Sequence, residues 1–296
     1  MINKRFIEQK NKIKEFFSMR QNEIFTKRDF HSILINNGPK WYAGVNLNTK
    51  DFIGFLENEF NLQHIVLNFP TYNVDRYSFK KDVSPYALAS SLKEMGYLSH
   101  YSAMFLNGLT EQIPTSLYFN YEQNIKENPA RDTNVLSQDM INIAFNGNAR
   151  VTNQVAQYNE YKIYLLNGMH TENLGVVEVV PDDFATPFLT TCIERTLIDI
   201  AVRPFYSGGI HEVLKAYRMA AEYVSINKLS AFLEKINYIY PYHQAIGFYL
   251  EKSNAYNQKQ INILKSFEIK HDFYLTYNIT NPKYSEQWKL FYPQDF

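Results

Sequence analysis

Apolar residues recur at helical spacing through the first sixty positions and then switch to alternation. Phe6, Ile13, Phe16 and Phe17 share one face of a helix over residues 3–20. Ile24 and Phe25 read as a short extended piece. Thr26 caps a second helix over 27–36, with Phe30, Ile33 and Leu34 inward, and Gly38-Pro39 ends it. Thr49 caps a third helix over 50–60, with Phe52, Ile53, Leu56 and Phe60 inward. Residues 63–69 (QHIVLNF) read as a strand, 70–73 as a turn and 76–79 (RYSF) as a returning strand. Helix, short strand, two helices and a hairpin predict a winged helix-turn-helix over residues 1–82.

Asp82-Val83-Ser84-Pro85 marks a boundary. Beyond it, Ser84 and Pro85 open a helix with Leu88, Ala89 and Leu92 inward, closed by Gly96. A second runs from about Ser99 to Gly108. Residues 117–121 alternate as a strand, and 131–180 is strand-like, most clearly at YKIYLL (161–166) and GVVEVV (175–180). Helices return at about 189–202, 210–222, 227–236 and 256–265, and 271–279 reads as a last strand. The fold class expected is α+β: an N-terminal winged helix-turn-helix followed by a larger mixed domain over 83–296.

The segment FLTTCIERTLIDIAVRPFYSGG at 188–209 concentrates the charge pattern. Arg195, Asp199 and Arg203 stand at i, i+4 and i+8, one stripe on a helix. Leu197, Ile198, Ala201 and Val202 form its core side, Thr190 or Thr191 the N-cap, and Glu194 suits the positive end of the dipole. Pro204 forces a turn, and Gly208-Gly209 precede a new helix at about Ile210. One reading is an ion-pair ladder that fixes this helix against a neighbour. The other makes Arg203 and the helix start after Gly209 an anion or partner site.

The 296 residues carry no net charge, but the balance is uneven. Residues 1–82 hold 13 Lys and Arg against 9 Asp and Glu, and the remainder 17 against 21. A basic N-terminal part is what a phosphate-contacting module needs. Cys192 is the single cysteine, so the chain forms no internal disulfide or cysteine-based metal cage, and its apolar neighbours predict a buried thiol. The N-terminus lacks the apolar run of a secretory signal, and no stretch reaches the length of a membrane span, so a cytoplasmic protein is expected.

Phosphate-loop, GxGxxG, HExxH and GxSxG patterns are all missing. His64, His100, His170, His211, His243 and His271 are scattered, none with a second ligand at metal spacing. No enzyme, no metal site and no cofactor are expected. For DNA, the third helix offers Asn48, Thr49, Lys50, Gly54 and Asn58. The preceding loop offers Lys40, Trp41, Tyr42 and Asn46, and the wing Asn73 and Arg76. Asn and Lys can read base edges while Thr and Tyr hold phosphate. Lys40, Asn48, Thr49, Lys50, Asn58 and Arg76 are the candidate DNA contacts. Asp51, Glu57 and Glu59 share that helix and temper its charge. Tyr101, Ser102 and Asn107, next to His100, form a polar stripe read as structural.

Four segments carry a family resemblance: YLSHYSAMFLNGLTEQIPTSLYF (97–119), ERTLIDIAVRP (194–204), SGGIHEVLKAY (207–217) and IGFYLE (246–251). Together with the winged-helix order ahead of them, they resemble the AbiEi-type antitoxins of abortive-infection toxin–antitoxin systems. Gln244 stands near a place where that family often carries Arg before the Gly-Phe of the last motif. The resemblance implies an N-terminal domain that binds inverted repeats in its own promoter and represses the operon. It also implies a C-terminal antitoxin domain, acting directly or indirectly on a nucleotidyltransferase-like toxin in phage defence. Two other readings stay open: a stand-alone repressor or ligand sensor without a toxin, and a metal-dependent nuclease whose acids the fold gathers.

Overall fold

The computed structural model describes residues 4–20, 23–41, 48–124, 136–180 and 187–296. It is an α+β protein that divides into two compact units. One comprises Met1–Glu94 with Gln154–Lys162, the other Met95–Asn153 with Ile163–Phe296.

The first unit contains α1 (Lys4–Glu8), α2 (Lys10–Ser18), α3 (Lys27–Trp41), α4 (Thr49–Phe60), the antiparallel hairpin β1 (Gln63–Asn68) and β2 (Asn73–Ser78), and α5 (Pro85–Ser90). Its core is phenylalanine: Phe6, Phe25, Phe30, Phe52 and Phe55 are fully or almost fully buried. Phe6 stacks on Phe55 at 5.2 Å and Phe25 on Phe30 at 5.4 Å. Each such ring contributes about 1.5–3 kcal/mol by leaving water. Phe25 also bridges to Tyr77 in β2, which ties the expected short extended piece to the hairpin.

Helix α3 does not stop at Gly38-Pro39 but continues to Trp41. Proline removes one backbone donor, yet buried Trp41 meets Phe16 edge-on at 5.3 Å and anchors the final turn. Helix α4 is capped one residue earlier than expected: Asn48 Oδ1 accepts the Lys50 amide at 2.9 Å, and Thr49 is the first helical residue.

The unit boundary falls after Glu94, not near residue 82. Helix α5 stays with the first unit because Arg76 in β2 donates to the Ser91 carbonyl (2.6 Å) and hydroxyl (2.9 Å) at its end. Glu23 accepts the Ser84 amide at its start (2.6 Å). The segment 154–162, with strand β5 (Val155–Tyr158), joins this unit from far downstream.

The second unit holds β3 (Tyr97–Leu98), α6 (His100–Leu106), β4 (Ser116–Glu122), α7 (Gln138–Asn146), β6 (Tyr161–Gly168, from Ile163 on), β7 (Val176–Val179) and β8 (Phe188–Thr191). It continues with α8 (Ile193–Val202), α9 (Ile210–Ala220), α10 (Ile226–Ile236), α11 (Tyr242–Ser253) and α12 (Gln258–Lys265). The strands β9 (Phe273–Tyr274), β10 (Lys283–Ser285) and β11 (Leu290–Tyr292) complete it. Its main sheet runs β6-β4-β3-β8-β7, and a small one β10-β11-β9. Strand β3 is antiparallel to β4 and parallel to β8.

Helix α8 begins at Ile193, not near 189, because residues 188–191 pair with β7 as a strand. Thr190 and Thr191 lie in that strand, and Cys192 takes the cap position without a side-chain capping bond. Cys192 is free and buried, and burial pushes its thiol up. Every residue of α8 from Glu194 to Val202 is buried, so its polar stripe is as enclosed as its apolar one. Helices α6, α9, α10 and α11 surround it. No helix among the described residues is long and apolar enough to cross a membrane.

Candidate functional site

Two places are candidate sites, one in each unit. In the first, Lys40 and Lys50 are exposed and Asn48 is exposed at the start of α4. Asn48 spends its carbonyl oxygen on the helix cap, and Asn58 donates Nδ2 to the Gly54 carbonyl at 2.6 Å. The Thr49 hydroxyl lies 3.1 Å from His31 Nδ1. Arg76 corrects the expectation: it is 8 % exposed and faces inward. Its guanidinium binds Ser91 and the Asp75 carbonyl (2.8 Å), satisfying the last carbonyls of α5 rather than a phosphate. Tyr42 and Asn46 lie outside the described residues.

In the second unit, a cavity of about 550 Å³ opens between the main sheet and α8. Its walls include Tyr97, His100, Asn120, Arg150, Arg195, Asp199, Arg203 and Tyr238. The expected ladder is half formed. Arg195 Nε donates to Asp199 Oδ1 at 2.8 Å, with both side chains buried. Arg195 Nη1 donates to the Leu174 carbonyl (2.7 Å) and the Thr171 hydroxyl (3.1 Å). Burial favours the neutral form of Arg195, but the charge and hydrogen bond of Asp199 together with Tyr97 and Tyr238 outweigh it and raise the guanidinium above its usual value. Arg203 is not the third member. Its side chain lies by the Phe205 ring at 5.8 Å, and no carboxylate lies within 4.0 Å of it among the described residues. The reason is that α8 ends there: Arg203 has left helical geometry with φ −134° and ψ 65°.

Behind Arg195, Glu122 accepts the Thr171 amide (2.7 Å) and hydroxyl, the Asn173 amide (3.2 Å) and the Tyr97 hydroxyl (3.3 Å). Burial pushes the Glu122 carboxyl up, but the Thr171 and Asn173 donors hold it below its usual value. Asn120 Nδ2 donates to Tyr97 Oη at 2.7 Å and extends the network across the sheet. Gly168 is packed against the Asn120 amide at 2.7 Å from an added Cβ, so a side chain there would displace it.

The polar stripe on α6 is structural, as expected. Ser102 Oγ accepts the Tyr118 amide (2.8 Å), Asn107 donates to the Thr191 carbonyl (2.9 Å), and Tyr101 donates to Gln112 (3.0 Å). Thr110 donates to Glu212 at 2.8 Å, joining the 97–119 and 207–217 motifs. Gln244 is fully buried and donates to the carbonyls of Trp288 (2.6 Å) and His271 (3.0 Å). It therefore pins the C-terminal strands to α11.

His100 starts α6 with φ +51°, a left-handed conformation that His, Asn and Asp tolerate better than most residues. It is 9 % exposed, and burial drives its pKa from 6.5 down to about 4, with Arg203 and Arg195 adding to the effect against Asp199. Between those values the unfolded chain binds a proton that the folded chain does not. Stability is therefore fully present above pH 6.5 and is lost as pH falls towards 4, by about 3 kcal/mol for this group. His243, also pushed down to about 4 by burial, adds a loss of the same sign. Urea melts between neutral pH and about pH 4.5 should show a shallower loss in His100→Asn than in the parent. An unchanged slope would assign the acid sensitivity elsewhere.

Sequence reasoning misses the roles of Tyr97, Asn120, Glu122, Arg150, Thr171 and Tyr238, which come from segments far apart in the chain, and of these only Tyr97 lies in a segment that carries the family resemblance. Among the described residues, no group of three or more His, Cys, Asp or Glu side chains is gathered as a metal site requires.

No protein-family profile matches the chain, and neither does any curated protein. The chain shares its fold with the crystal structure of the RV2827C protein from Mycobacterium tuberculosis, at a TM-score of 0.57 and 12 % identity, over 99 % of this chain and 92 % of that one.

Proposed function

We propose that the protein is a DNA-binding antitoxin that represses its own operon and counteracts a nucleotidyltransferase-like toxin. The observation that carries the DNA-binding half is the first unit's arrangement. Two consecutive helices, α3 and α4, precede an antiparallel hairpin, and the start of α4 presents Asn48, Thr49 and Lys50 outward with Lys40 exposed. That order is the one in which a winged helix-turn-helix presents the start of its second helix to a groove. Lys40 and Lys50 supply phosphate contacts. The antitoxin half rests on the resemblance of the 97–119, 194–204, 207–217 and 246–251 segments to AbiEi-type antitoxins. The protein acts in the cytoplasm on operator inverted repeats, by binding and not by catalysis, and no cofactor is needed for that role.

A mobility-shift titration against the promoter of its own operon tests the first half. Lys40→Ala with Lys50→Ala should weaken binding and reduce the magnitude of the salt slope by about 1 for each phosphate left without its lysine. Equal affinity and slope would reject these residues as DNA ligands. Arg76→Ala should instead lower stability, because it removes the donors that close α5. Co-expression of the full chain with the toxin-like product of the adjacent gene tests the second half. Failure to rescue growth, with soluble protein present, would favour a stand-alone sensor, the reading to which the second unit's cavity also lends itself.

A further inference from the structure

We propose that the cavity in the second unit binds a small phosphomonoester, with the phosphoryl dianion held by Arg203 and Arg150. Three arginines line this cavity, and they are not equivalent. Arg195 already has its counter-charge: Asp199 accepts from its Nε, and Thr171 and the Leu174 carbonyl accept from its Nη1. Among the described residues, neither Arg203 nor Arg150 has a carboxylate within 4.0 Å, and Arg150 is exposed at the rim.

The other titratable groups do not cancel these two charges. Asp199 is paired with Arg195. Glu122 lies behind the wall with its oxygens engaged by Thr171, Asn173 and Tyr97, and His170 Nδ1 is 3.6 Å from it. Burial keeps His100 uncharged at neutral pH. Two cations that line one concave space, neither in an ion pair, repel each other, and a bound dianion converts that repulsion into attraction. The planar guanidinium fork matches phosphoryl oxygens two at a time, which a lysine cannot do.

The remaining walls suit a hydroxylated body. Asn167 offers its side-chain amide, Gln123 the amide oxygen beside the Nε2 that it donates to the Asn167 carbonyl (3.2 Å), and Asp199 has a second carboxylate oxygen beyond the one Arg195 holds. About 550 Å³ is the volume of a site for a ligand the size of a sugar phosphate.

Calorimetric titration of the full chain with ribose 5-phosphate tests this, with ribose, inorganic phosphate and succinate in parallel. Saturable binding of ribose 5-phosphate, weaker binding of phosphate and none of ribose is the expected pattern. Arg150→Gln and Arg203→Gln should each weaken binding about tenfold or more, and Arg203→Lys should recover part of that affinity. Arg150 is exposed, so its variant should melt as the parent does and remain informative if an Arg203 variant does not fold. The proposal is overturned by absence of binding to either phosphate compound up to about 10 mM. It is overturned equally by undiminished affinity in Arg150→Gln, or by succinate binding as tightly as ribose 5-phosphate.

Discussion

Asp199→Ala is expected to destabilise the protein by about 3–5 kcal/mol. Arg195 is 5 % exposed and Asp199 7 %, so the substitution leaves a guanidinium in the interior with no counter-charge. Water cannot readily compensate on the helix side, where α6, α9, α10 and α11 surround α8. Arg195 keeps its bonds to Thr171 and the Leu174 carbonyl, which are neutral acceptors and make up only part of the deficit. Asp199→Asn keeps an acceptor oxygen for Nε and should cost less, about 1–3 kcal/mol. The double variant Arg195→Met, Asp199→Leu should cost less than Asp199→Ala alone, because no charge is stranded. Denaturant melts of the three variants decide this. A parent-like melt for Asp199→Ala would mean that the pair is solvated through the cavity.

Gly247→Ala should destabilise as well, by about 3 kcal/mol, although helix propensity alone predicts a gain of about 1 kcal/mol. Gly247 lies inside α11, and a Cβ there would fall 2.2 Å from the six-membered ring of Trp288. That ring cannot step aside. It is fully buried, and its Nε1 donates to Glu251 Oε2 at 2.7 Å. Gln244, one turn earlier, holds the Trp288 carbonyl at 2.6 Å, so the backbone is fixed too. The Ala must therefore push α11 and the β9–β11 sheet apart. Trp288→Phe should cost stability alone but recover part of it when combined with Gly247→Ala, since the smaller ring vacates the contested volume. Calorimetric melts of both single variants and the double check this. If Gly247→Ala raises the melting temperature, the packing is looser than described.

The same packing explains one of the segments behind the family resemblance. In IGFYLE the glycine is required by the tryptophan that crosses it, and Glu251 by the indole it accepts. Gln244 does there what an arginine could also do, which is to donate to backbone carbonyls. Its Oε1 has no hydrogen-bond partner among the described residues.

Periodicity alone locates α4, α9 and α10, because each has one buried and one wet face and side-chain spacing records the difference. The β1–β2 hairpin is equally legible from its alternation and its turn residues. Helix α11 is not. Ala245 to Leu250 are all buried, so no polar phase marks the turns. Helix α7 hides inside a region that otherwise alternates. The first residues expected of α8 form a strand instead, because an apolar-then-Thr run fits a strand and a helix equally well until β7 is there to pair with it.

Spacing along the chain is enough to establish the α+β class, the order of most elements, the Arg195–Asp199 pairing at one helical turn and the burial of Cys192. These depend on near neighbours, whose separation is fixed by backbone geometry. Folding in three dimensions is what turns Arg76 inward to close α5, takes Arg203 out of the ladder, and assigns α5 and β5 to the first unit. It alone brings Tyr97, Asn120, Arg150 and Arg203 around one cavity. Such placements depend on which surfaces meet after the elements form, and the spacing of residues along the chain carries no record of that.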